Sequence, residues 1–504
     1  MFNARSCGIL LHPTSLPGPG GIGSFGSDAR RFVDLLAQGG ITLWQMLPLT
    51  PPACGDSPYS SLSVFAGNPL LIDLDRLAEE GDLAPEPYGY SAGTVSGDPV
   101  DYATVARHKL DVLGRAAKRF MSSGRNVRME SFWHFCDTSP WLHDYALFMS
   151  LKNKFQGVSW HKWPASAARL DHAAYERFSV ELGEEIGVQK YIQWQFYVQW
   201  QELRGYANSR GVRIIGDIPI FVAYDSVDVW RNRHLFLLDA KGKPTVVAGV
   251  PPDYFSSNGQ LWGNPLYDWK RLEQEGYSWW VDRIRHSLSL FDGIRIDHFR
   301  GFESAWHVPA SHKTARNGMW FKGPGRQLFD VLRHYLGALP IIAEDLGVIT
   351  PEVIELKQQC GFPGMKILQF AFDSGVDNPY LPHNYDRNCV VYTGTHDNDT
   401  TCGWFESLTT DQRRQVCEYL GCGEGAVVEG MFRQAMISVA DTAIFPMQDV
   451  LGLGSCGRMN TPGVAFGNWS WRFDWQMINR QAWMQFTSMI KLYGRVGQLV
   501  PKSS

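Results

Sequence analysis

Three apolar runs in this chain stop abruptly on carboxylates, and that repeat restricts the possible folds more than any other feature. Phe291-Asp292-Gly293-Ile294-Arg295-Ile296-Asp297 leads into His298 and Arg300. Leu339-Pro340-Ile341-Ile342-Ala343 ends in Glu344-Asp345, and Cys389-Val390-Val391-Tyr392 passes through Thr393-Gly394-Thr395 to His396-Asp397-Asn398-Asp399. Short β-branched runs of this kind read as strands buried on both faces, with polar groups delivered at their carboxyl ends. A fourth, Val212-Arg213-Ile214-Ile215-Gly216, ends in Asp217.

Helical patterns separate these runs, over Ala29 to Gln38, up to Leu290, and near 326–336 and 351–359. Strands alternating with helices predict a parallel sheet with helices outside. Candidate strands begin near 7, 42, 69, 212, 293, 340, 366, 389 and 442, one more than a (β/α)8 barrel needs. An open doubly wound sheet is the alternative, but it does not account for Asp217, Asp297, Glu344 and Asp397 all falling where strands end. A barrel does, because its pit gathers the carboxyl ends of every strand. The fold expected is therefore an α/β (β/α)8 TIM barrel with large insertions. The whole chain, 1–504, reads as one catalytic unit. An insertion from 50 to 211 after the second strand includes a helix-rich subdomain at about 86–205, and a second insertion runs from 221 to 265. The Gly18-Pro19-Gly20-Gly21-Ile22-Gly23 match to a dinucleotide fingerprint is rejected, since a proline interrupts it and the next strand ends in Leu47-Pro48-Leu49 without an acid.

Charge and composition narrow the partners. Forty-seven basic and 51 acidic residues give a net charge of -4 without a long basic run, which argues against nucleic acid and membrane surfaces. Charged residues are 19% where about 25% is usual, while aromatics reach 13%. Such a surface suits an uncharged ligand with apolar ring faces, such as a sugar. The nine cysteines are scattered without a C-x-x-C pair, so reduced thiols in the cytoplasm are expected.

Converging carboxylates serve either a metal or acid, base and nucleophile chemistry. His298 and His396 stand beside two of them, so a metal site is weighed. It ranks second, because no H-x-H or H-E-x-x-H spacing occurs and nearby arginines would repel a divalent cation. Retaining glycosidic cleavage instead needs one ionised carboxylate and one protonated one. Arg295, two residues before Asp297 and on the same side of the strand, is expected to keep Asp297 charged, whereas the apolar Ile341-Ile342-Ala343 before Glu344 is expected to raise its pKa.

Further stretches complete the picture: Gly8-Ile9-Leu10-Leu11-His12-Pro13-Thr14-Ser15-Leu16, Gly55-Asp56-Ser57-Pro58-Tyr59, Ala66-Gly67-Asn68-Pro69, Gly216-Asp217-Ile218-Pro219-Ile220, Val250-Pro251-Pro252-Asp253-Tyr254-Phe255, Leu261-Trp262-Gly263-Asn264-Pro265, Thr395-His396-Asp397-Asn398 and Gly467-Asn468-Trp469. With them the chain resembles the amylomaltases, or 4-alpha-glucanotransferases, relatives of the α-amylase barrels, over essentially its whole length. The resemblance implies transfer of α-1,4-glucan segments between maltooligosaccharides through a covalent intermediate, with no cofactor and no metal. It implies Asp297 as nucleophile, Glu344 as general acid and base, and Asp397 as the carboxylate that binds and distorts the reacting ring. Arg295, His298, His396 and Asp217 would hold that ring's hydroxyls, while Tyr59, Ser57, Asp373 and Asn468 would bind neighbouring sugars. Pro251 to Trp262 would form an aromatic loop over the acceptor side, where Tyr254, Phe255 and Trp262 exclude water and favour transfer over hydrolysis. It also takes 212–217 as the third barrel strand and leaves 67–75 to the long connection after strand two. A glucan-binding protein without catalysis is the alternative of another class, suggested by the aromatics alone.

Overall fold

The computed structural model describes residues 2, 4–53, 55–84, 97–252, 256–464 and 466–497. Twelve strands occur among them: β1 Ser6–Leu10, β2 Leu43–Gln45, β3 Arg213–Pro219, β4 Val246–Val250, β5 Gln260–Pro265, β6 Gly293–Asp297, β7 Ser304–Pro309, β8 Met319–Lys322, β9 Ile341–Ala343, β10 Gly364–Ile367, β11 Cys389–Tyr392 and β12 Thr442–Pro446. Eight form one parallel sheet in the order β10-β11-β12-β1-β2-β3-β6-β9. Its two ends meet where the Ala343 amide donates to the Pro363 carbonyl at 2.9 Å, nearly closing the sheet as a barrel.

The two-residue period of a strand sorts its side chains to opposite faces. Leu10, Leu43, Ile215, Ile342, Ile367, Val390 and Ile444 pack together in the barrel interior. Their neighbours Ile9, Trp44, Ile214, Ile294, Ile296, Ile341, Val391 and Phe445 join the larger core beneath the helices. Because Ile294 and Ile296 face outward, Arg295 and Asp297 face inward. The β3–β6 register then sets Asp217 opposite Arg295, so a buried acid and a buried base become lateral neighbours.

The ninth apolar run, near 69, is not a strand. Asn68 accepts from the Leu70 amide at 3.0 Å with Pro69 at the first helical position, giving a 3-10 turn over Pro69–Leu71; Asp73 then caps the helix Leu74–Glu79. Between β2 and β3 lie long helices including Tyr102–Ser122, Val127–Thr138, Leu142–Lys154 and Gly183–Ser209. Between β3 and β6 the chain contributes β4 and β5 to a second sheet, antiparallel in the order β5-β4-β7-β8. Sequence periodicity does not reveal that sheet, since its strands come from two separate connections. Among the described residues no helix is long and apolar enough to cross a membrane.

Candidate active site

Asp297 closes β6, Glu344 follows β9 directly, and the two strands are paired neighbours. The link between the two carboxyl-bearing segments is short. Glu344 Oε2 accepts from the His298 amide at 2.6 Å, and its Oε1 accepts from the Leu346 amide at 2.8 Å. His298 reaches this position in the left-handed region, at φ 53°, which for a non-glycine residue costs free energy and commonly marks a functional site.

Arg295 lies below them and is almost fully buried. Its Nη1 donates to Asp217 Oδ2 at 2.7 Å and its Nη2 meets Asp297 Oδ1 at 3.0 Å. Asp217 also accepts from the Tyr59 hydroxyl at 2.7 Å. Burial works against the charge on Arg295, but Asp217 and Asp297 outweigh it and hold the guanidinium firmly protonated. Burial pushes the Asp297 carboxyl up; Arg295 opposes the rise, and the charges of Glu344, Asp217 and Asp397 add to it. Glu344 is raised chiefly by burial as well, with Arg295 and its two backbone donors pulling the other way. The expected pairing of Arg295 with Asp297 and the expected rise at Glu344 are both present, but Asp297 is raised as well. The Arg295 charge is divided between two carboxylates, and Glu344 has charge-stabilising donors of its own. The two acids titrate as a pair with raised affinity for a proton.

Asp397 stands on the turn after β11, half-exposed. Its Oδ1 accepts from Asn460 Nδ2 at 2.6 Å, its carbonyl accepts from Arg458 at 2.7 Å, and His396 Nε2 lies 3.5 Å away. His396 stacks on Tyr59 at 5.2 Å between ring centroids, with Trp469 beside both. Burial lowers the pKa of His396, and lowers those of His298 and His12 to about 3, so all three imidazoles are neutral near pH 7. His298 Nε2 is buried without a hydrogen-bond partner among the described residues.

The remaining expected residues differ in their surroundings. Trp262 packs edge-on against His298 at 4.7 Å, on β5 of the antiparallel sheet. Ser57 shares the Tyr59 turn, its carbonyl accepting from the Ser60 amide at 3.1 Å. Asp373 is exposed and accepts from Asn378 at 2.9 Å, while both ends of the Asn468 amide are engaged by Thr461 and Val464 within its own loop. Tyr254 and Phe255 lie outside the described residues. Sequence reasoning missed Asn460 and Arg458, whose loop sits more than 60 residues beyond Asp397 and has no periodicity to flag it, and gave Trp469 no role of its own. Among the described residues no cluster of three or more His, Cys, Asp or Glu suits a metal ion.

A buried arginine between two acids, a third acid held by backbone amides and a fourth on a tethered turn can together support charge separation at one carbon atom. Comparisons with known proteins identify the family. Residues 11–478 match the family model described as 4-alpha-glucanotransferase. The chain is 48% identical to the 4-alpha-glucanotransferase of Synechocystis over 98% of its length and 99% of the relative's. It is 49% identical to that of Thermus thermophilus over 93% and 94%. Among solved structures, an amylomaltase from Streptococcus agalactiae in complex with acarbose superposes with a TM-score of 0.94 at 39% identity, covering 97% of this chain and 99% of that one. On these grounds the chain belongs to the 4-alpha-glucanotransferase family.

Proposed function

We propose that this chain carries out its 4-alpha-glucan transfer by retaining double displacement, with Asp297, Glu344 and Asp397 in the roles of nucleophile, acid–base and ring-binding carboxylate. The observation that carries the reading is the placement of Asp297 and Glu344 on adjacent inward-facing strand ends, joined through the His298 amide. In the first step Glu344 gives its proton to the glycosidic oxygen as the bond from that oxygen to C1 breaks and an Asp297 oxygen bonds to C1. The released chain leaves. In the second step an acceptor 4-hydroxyl loses its proton to Glu344 while its oxygen displaces Asp297 from C1. Burial raises the proton affinity of both carboxyls, and the cycle needs one of them protonated while the other is ionised.

Asp217 and Arg295 form the floor, and neutral His298 and His396 are placed to meet ring hydroxyls. His298 Nε2, buried and unpartnered, is the kind of atom a hydroxyl would satisfy. Tyr59, Ser57, Asp373 and Asn468 would contact neighbouring sugars, and Trp262, with Tyr254 and Phe255, would limit water at the covalent intermediate. The eight cysteines among the described residues are unpaired, consistent with a cytoplasmic setting. Incubating the purified chain with maltotriose is expected to give glucose and a ladder of longer maltooligosaccharides, with Asp297→Asn giving neither. Products no longer than the substrate, or turnover surviving the substitution, would overturn the reading.

A further inference from the structure

Three consecutive large apolar side chains, Met319, Trp320 and Phe321, are exposed on β8 at 64%, 38% and 44%. β8 is an outer strand of the antiparallel sheet, and an apolar outer strand left open is a liability that proteins ordinarily blunt. Trp320 is held rigidly in this position. The Arg300 guanidinium lies over its ring at 3.7 Å, and Trp306, directly opposite in register, packs edge-on at 5.2 Å. Trp306 is itself fixed by donating to the Ala315 carbonyl at 2.8 Å. Arg300 is almost fully buried and donates to the Val348 carbonyl and to Ser304 Oγ.

These contacts link the ring to the segments that carry His298 and Glu344. Arg300 is two residues beyond His298, and Val348 is four beyond Glu344 on the same loop. An acid–base catalyst faces the glycosidic oxygen, the side from which the cleaved chain departs and the acceptor enters. From this continuity we infer that Trp320 is a sugar-stacking platform for the distal part of an α-1,4-glucan acceptor. The inference rests on the glucan-transfer reading and on Glu344 as the acid–base. One ring face is covered by Arg300, and the exposed remainder is a flat apolar surface of the kind that stacks on a glucose ring.

The test measures initial transfer rates from a fixed amylose donor to acceptors from glucose to maltohexaose, for the full chain and for Trp320→Leu and Trp320→Phe. Trp320→Leu keeps an apolar cover over Arg300 while removing the flat ring, and matching thermal melts verify the fold. The acceptor KM is expected to rise about three- to tenfold for the longer acceptors in Trp320→Leu, with kcat and the glucose KM unchanged, and to recover largely in Trp320→Phe. Equal loss at every acceptor length, or no change at any, would overturn the inference while leaving glucan transfer standing. Absence of transfer by the wild type to any acceptor would instead sink the glucan-transfer reading itself. A wild-type dimer by sedimentation that dissociates in Trp320→Leu would reassign β8 to self-association.

Discussion

Replacing Arg295 by lysine probes how Asp297, the proposed nucleophile, stays charged in a buried pit. The guanidinium serves Asp217 at 2.7 Å and Asp297 at 3.0 Å with different nitrogens, a geometry that a single compact ammonium cannot reproduce. Asp217 has no exposed side-chain surface, so it retains the cation and Asp297 loses it. With charge centres about 4 Å apart and an effective dielectric of about 20, the attraction is about 4 kcal/mol, of which somewhat over half survives with the cation at about 7 Å. The difference of about 1.8 kcal/mol corresponds to somewhat over one pKa unit. Partial water access to Asp297, whose side chain is 31% exposed, trims this to roughly one unit. Because Asp297 must be anionic to attack, the acid limb of kcat/KM for maltotriose should move up by roughly one pH unit, with a loss of about tenfold below the limb and less above it. Stability follows the same sign. A carboxyl raised on folding penalises the native state increasingly as pH climbs from the unfolded value towards the folded one, so the variant should lose more stability relative to wild type at pH 8 than at pH 4. An acid limb that stays in place or moves down would refute the idea that Arg295 sustains the charge on Asp297.

Two further outcomes are expected. At His298, whose left-handed backbone disfavours β-branching, His298→Val should cost about 1–2 kcal/mol in urea melts, whereas His298→Gly should spare that strain yet still lower kcat/KM. Arg128 grips the buried Asp82 with both nitrogens at 2.7 and 2.6 Å; Arg128→Met should destabilise the fold by about 3 kcal/mol in the same melts.

The acid-bearing strand ends were legible because strand chemistry is local. An apolar run with a two-residue period must place Arg295 and Asp297 on one face, and their meeting follows from the register. The run near 69 shows the limit of that reasoning, since four to eight apolar residues fit a strand or a turn of helix equally well. What decided there was the capping by Asn68 and Asp73. The support for Asp397 was not legible at all, because Asn460 and Arg458 arrive from an irregular loop whose position depends on the finished barrel. The rise at Asp297 was not legible for a related reason. Sequence shows Arg295 near Asp297, but the competing claim of Asp217 exists only across two strands. The antiparallel sheet carrying Trp262 and Trp320 joins strands from two connections, so its pairing too was invisible beforehand.

The near-closure of the barrel has a mechanical side. β3 and β6 share a five-residue ladder, and β6 is laddered to β9 on its other flank, so Asp297 is mounted in a stiff part of the wall. Between β9 and β10 the described residues show one backbone bond, Ala343 to Pro363, reinforced by the Asp345 carboxylate accepting from the Met365 amide. A ring yields first at its weakest joint, and Glu344 sits at that joint. Amide exchange should accordingly be faster along β9 and its loop than along β6. The proposed nucleophile is anchored like a fixed jaw, while the proposed acid–base group rides on the compliant one.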